Sequence, residues 1–97
     1  MPDRDERITR AAALRYDRQG PGAPRVVAAG RGEVARRIVE AARAAGVPVR
    51  DDAALAEALS ALELDTEVPE ELWAAVAEAL VWAHRMDLGA LREARGA

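Results

Sequence analysis

Between residues 23 and 50 the chain fixes an order that leaves few folds open. An extended apolar run, Pro24-Arg25-Val26-Val27-Ala28-Ala29, meets Gly30-Arg31-Gly32; a helical stretch over 33–45 follows, and Gly46-Val47-Pro48-Val49 resumes an extended course. Val26 and Val27 supply the β-branched centre of a strand, and the two glycines allow a tight passage into the helix. Gly46 stands where a left-handed helix end is expected, and Pro48 confirms the stop. The order predicts a βαβ unit whose second strand, over 47–49, lies parallel to 25–29 by a right-handed crossover. Such a unit needs further elements to cover it, so the expected class is α/β: a small mixed β-sheet wrapped by helices.

The flanking segments supply those elements. Residues 8–16 read as a strand, weakened by three alanines, and the turn chemistry of Asp17-Arg18-Gln19-Gly20-Pro21-Gly22 folds the next strand back as its antiparallel partner. On the first helix Val34, Ile38, Ala41 and Ala45 share one side, with Arg36, Glu40 and Arg43 on the other. Asp51 or Asp52 caps a second helix carrying a Leu55, Leu59, Leu62 stripe. Residues 64–68 read as a polar-flanked connector. Pro69 opens a last helix, with Glu70 and Glu71 at its positive end and Leu72, Val76, Ala79, Leu80 and Ala83 on its buried face. Residues 1–7 are expected to be a flexible N-terminus, 8–86 a single domain and 87–97 a frayed tail.

Composition narrows the function classes. At 97 residues there is room for one modest core, and a second catalytic domain is excluded. The absence of cysteine removes disulfides, thiolate metal sites and thiol nucleophiles, in keeping with a reducing cytosol. No apolar run nears the ~20 residues that span a bilayer, and the charged start has no signal-peptide character, so the expected location is cytoplasmic. Net charge is −3, with arginine as the basic residue throughout and no lysine. Arginines at 7, 10, 15 and 18 suggest a basic strip, which makes a small nucleic-acid-binding domain the alternative reading, although strand alternation sends them to differing faces and nearby acids dilute them.

Motifs for chemistry are sparse. Gly30-Arg31-Gly32 before a helix could take an anion, but it lacks a third glycine at the dinucleotide spacing or a following Lys-Ser/Thr, and Glu33 places a negative charge in the first turn. Turn glycines are the favoured reading over a phosphate-ligand protein. His84 is the only histidine and has no second ligand of the usual metal type. Adjacent Glu70 and Glu71 diverge on a helix and suit the dipole better than paired acid-base work. No catalytic residue, metal or cofactor is assigned. Trp73 and Trp82 lie on nearly opposite sides of the last helix; Trp73 falls nearer the buried face, leaving Trp82 with Val81 and Met86 as a partly exposed apolar contact group.

Five pieces in order carry a resemblance: Ala11 to Asp17, Ala23 to Gly30, Val47-Pro48-Val49, Leu55-Ala56-Glu57-Ala58-Leu59, and Val68 to Glu78. Together they resemble the cytoplasmic domain of the FlhB/YscU family, the substrate-specificity switches of flagellar and type III export, over about residues 8–86. The resemblance implies a small sheet wrapped by helices and a place at the export apparatus. The family cleaves itself within an Asn-Pro-Thr-His motif, the asparagine amide attacking its own carbonyl. The corresponding positions here are Glu6, Arg7, Ile8 and Thr9, none of which matches, so no autocleavage is expected. Ala29 stands where the family has lysine, and Ser60 where tyrosine is usual. The implied role is a non-cleaving, stand-alone homologue that acts as a protein-interaction module. Its partners would be the export-gate cytoplasmic domain or rod, hook or ruler substrates, met through Arg18, Arg36, Glu40, Arg43 and Trp82.

Overall fold

A computed structural model describes residues 9–17 and 22–96, with side chains up to residue 86. Strand β1 (Arg10–Arg15) pairs antiparallel with β2 (Arg25–Arg31), as the turn chemistry predicts. Helix α1 (Glu33–Ala44) follows, then α2 (Ala53–Ser60), a short strand β3 (Thr66–Glu67), a 3-10 turn (Glu70–Leu72) and helix α3 (Trp73–Gly96). The sheet order is β1-β2-β3, antiparallel throughout.

Two expectations are corrected here. Residues 47–49 are extended but form no strand, so the βαβ unit is not closed; the third strand comes from the supposed connector. The connector pairs because the backbone is tied down locally: Asp65, at φ 64°, donates its N–H to the Val26 carbonyl, and the Val68 N–H reaches the Pro24 carbonyl at 2.8 Å. The Thr66 hydroxyl donates to the Glu63 carbonyl at 2.6 Å, and the Arg25 guanidinium to the Asp65 carbonyl at 2.7 Å. A two-residue strand held this way carries no alternation for a pattern to report. At the other end, α3 runs to Gly96.

The sheet lies between two helical layers. On one face, Val26, Leu55, Leu59, Val68 and Val76 form the main core, with Ala12, Leu14, Leu62 and Leu80 packed against it from β1, the α2 exit and α3. On the other, Ala11, Ala35 and Val39 form a smaller cluster under α1. A β-bulge makes this division possible. Ala13 pairs with Ala28 but Leu14 pairs with Val26, so Val27 is extra, unpaired and exposed. The bulge lets Val26 and Ala29, three residues apart, share the main-core face.

Helix α1 is rotated relative to the periodicity reading. Ala35 is fully buried and Val39 nearly so, whereas Val34, Ala41 and Ala45 are exposed and only Ile38 of the expected set is packed. The reason is close approach at the strand end: a Cβ on Gly30 would collide with the Val34 side chain. With that contact fixed, the smaller Ala35 faces the sheet. The helix ends as the sequence predicts. Gly46 is left-handed at φ 77°, its N–H bonding the Arg43 carbonyl and the Val47 N–H the Ala42 carbonyl in a Schellman closure.

Candidate functional site

A groove of about 540 Å³ runs along β1. One wall is β1 from Arg10 to Leu14, and further lining comes from the segment 47–52 between α1 and α2 and from the C-terminal end of α1. Leu55 and Leu59 of α2 and Ala79, Leu80, Trp82 and Ala83 of α3 complete its mainly apolar lining. Each wall is set by a local sequence device. The Schellman turn at Gly46 throws the chain out of α1, Pro48 keeps it extended, and the Asp52 carboxylate restarts a helix by accepting the Leu55 N–H at 3.1 Å.

Arg43 and Trp82, two of the expected partner-contact residues, both line this groove. The others do not join them. Arg36 is half-buried on α1, its guanidinium held by Glu33, with Nε 3.1 Å from Oε2, and by Glu40 at 2.9 Å. Hydrogen bonding and charge from Arg36, with Arg37 adding to them, hold the exposed Glu33 carboxyl below the ordinary glutamate range. These i,i+3 and i,i+4 pairs make a self-satisfied helix face, a weak anchor for a partner. Arg18 lies outside the described residues, as do Glu6, Arg7 and Ile8 of the replaced cleavage motif. Thr9 is described: it is exposed, and its carbonyl accepts the Gly32 N–H at 3.0 Å.

Of the two tryptophans, Trp73 departs from its expected place nearer the buried face. Trp73 is 50 % exposed, and its indole N–H reaches the Val68 carbonyl at 3.0 Å. A tryptophan at the first residue of α3 overhangs the Pro69 turn, where a backbone acceptor is within reach, so it does not enter the core. Trp82 is half-buried against the groove, next to the exposed Val81 and Met86. What the sequence reading missed is the groove itself. It opens where the parallel strand expected over 47–49 does not form.

The remaining motifs resolve as structure. Gly32 precedes α1 at φ 62° and its carbonyl starts the helix by accepting the Arg36 N–H, while Glu33 occupies the first turn. Arg10 and Arg15 stand at opposite ends of β1 on alternate faces, so they form no basic strip. His84 is exposed. Among the described residues there is no cluster of histidine and carboxylate side chains able to hold a metal ion, and no helix long and apolar enough to cross a membrane.

Comparison with known proteins places this geometry. The family model described as the FlhB HrpN YscU SpaS Family matches residues 9–83. The YlqH protein of Bacillus subtilis is 42% identical over 80 residues, which are 82% of this chain and 86% of YlqH. The flagellar biosynthetic protein FlhB of Escherichia coli is 44% identical over 73 residues, 74% of this chain but 19% of FlhB, so the chain spans about a fifth of that protein. Among solved structures, the PscU C-terminal domain superposes with a TM-score of 0.72 at 32% identity, covering 76% of this chain and 95% of that domain.

Proposed function

Because this chain belongs to the FlhB HrpN YscU SpaS family, we propose that it is a non-cleaving, stand-alone homologue of the export switch domain, working as a protein-interaction module in flagellar or type III export. The family is an export switch domain and not a catalytic enzyme, and its full-length members work within the export apparatus. The observation that carries the stand-alone reading is the match to YlqH, which spans most of both chains. Its place is the cytoplasm, and its partners are the export-gate cytoplasmic domain or rod, hook or ruler substrates.

The non-cleaving part rests on chemistry. A glutamate at position 6 has no side-chain amide to cyclise onto its own carbonyl, and a non-proline residue at position 7 restores the amide proton. Binding is supported by the apolar groove and by Trp82, Val81 and Met86 beside it. Immobilised full-length chain is expected to capture the purified export-gate domain or one of the substrates. Trp82→Ala or Arg43→Glu should weaken capture by about tenfold, as truncating an aromatic or arginine anchor does. Failure to capture any of them would remove the reading.

A further inference from the structure

Several arginines of the fold stand beside carboxylates: Arg25 beside Glu67, Arg36 beside Glu33 and Glu40, and Arg37 beside Glu33. Arg10 and Arg31 stand beside each other instead, as direct partners across β1 and β2. The Gly32 N–H bonds the Thr9 carbonyl at 3.0 Å, one step beyond the pair. Arg10 and Arg31 are therefore the closer, non-hydrogen-bonded kind of antiparallel pair, with Cβ atoms about 5 Å apart on one face. Neither makes an ion pair among the described residues. Two like charges placed this way destabilise the sheet when nothing neutralises them. Alternation puts them on the face of Ala12 and Ala29, the main-core side, away from α1. There a second concavity, of about 380 Å³, is lined by Arg10, Ala29, Gly30, Arg31 and Ser60, with no carboxylate among the described lining residues. Arg31, on the central strand, is exposed and Arg10 is half-buried. The Ser60 hydroxyl donates to the Ala56 carbonyl at 2.7 Å and brings no charge.

We propose that this concavity binds a phosphate dianion, free or as the head of a small monoester, between the guanidinium groups of Arg10 and Arg31. Two guanidinium forks match the several oxygens of a tetrahedral dianion, whereas a carboxylate is satisfied by one fork. The charges balance as well, since a phosphate group carries close to two negative charges near neutral pH. The donors are side chains and not the start of α1. The Gly32 N–H is committed to Thr9, and Glu33 fills the first turn of that helix with negative charge. Ala29 and Gly30 keep the floor low enough for the ligand to sit against the strand. Nothing in this site depends on an export partner, so it stands or falls apart from the export reading.

The test uses the full chain, isotope-labelled for amide NMR, titrated at constant ionic strength with sodium phosphate, glycerol phosphate and sodium acetate. Shifts are expected to concentrate at residues 10, 29–31 and 60, with a phosphate ligand bound about tenfold or more tightly than acetate. Tighter binding of glycerol phosphate assigns the site to monoesters, and equal binding of the two assigns it to free phosphate. Thermal unfolding supplies a second readout. With phosphate about tenfold above its dissociation constant, the melting temperature should rise by about 6 °C. Arg31→Glu gives Arg10 a cross-strand partner, so without phosphate this variant should melt no lower than the original chain, and it should lose the phosphate-dependent rise. Comparing the two proteins cancels the general stabilisation that phosphate gives any fold. Arg31→Lys, which keeps the charge and loses the fork, should weaken binding about threefold. Acetate bound as tightly as phosphate, shifts elsewhere, phosphate binding retained by Arg31→Glu, or binding seen only after deletion of residues 2–8 would each overturn the proposal.

Discussion

The two faces of the sheet solve the same problem with different means. Under α2 and α3 the core is made of branched side chains, Val26, Leu55, Leu59, Val68 and Val76, from four separate stretches of chain. Under α1 it is made mainly of alanine, with Ala11 and Ala35 letting the helix approach until Gly30 is needed beneath Val34. The first face gains its stability from apolar volume, the second from proximity. The first should therefore fail when a side chain is removed and the second when one is added.

Leu59→Ala is the largest expected loss, about 3 kcal/mol with a melting temperature lowered by about 12 °C or more in thermal unfolding, because it opens a cavity in the middle of the main core. Gly30→Ala comes next, at about 2 kcal/mol of overpacking. Val34→Ala, itself nearly silent at an exposed position, should recover part of that loss in the double variant. Additive effects of the two would break the close-approach account of the α1 face. Asp52→Ala should cost about 1 kcal/mol by removing the α2 cap, on the volume-driven face and independent of Gly30.

The smallest effect belongs to the charged outer side of α1. Arg36 holds the Glu33 carboxyl below its ordinary range, so the folded state favours the ionised form. Its contribution is present above the unfolded-state pKa and is lost as pH falls through the lower folded value. Glu33→Gln should flatten the acid limb of the stability profile slightly and leave the alkaline limb unchanged. A larger change on the alkaline side would contradict the assignment.

The difference between the faces also explains what could be read in advance. The Leu55, Leu59, Leu62 stripe and the Val76, Leu80 face were legible because large side chains at helical spacing have few other places to go. On α1 the periodicity pointed to Val34, but packing selected Ala35, because the distance between layers, set at Gly30, is not written in hydrophobicity. The bulge at Val27 and the short β3 were invisible for a related reason: each is defined by backbone bonds to residues distant in sequence. Of the residues that exposure and patterning singled out, Arg43 and Trp82 line the groove. The groove itself was not legible, since it arises where an expected parallel strand does not form.

That groove, with Glu6 and Arg7 in place of the cleavage residues, supports the proposal of a protein that binds without breaking its own backbone. Native mass spectrometry of the full chain mixed with the export-gate cytoplasmic domain tests both halves together. A single unbroken 10.4 kDa polypeptide held in a complex with the gate is the expected result. Two fragments split after Glu6, or an intact chain that passes through uncomplexed, would contradict it.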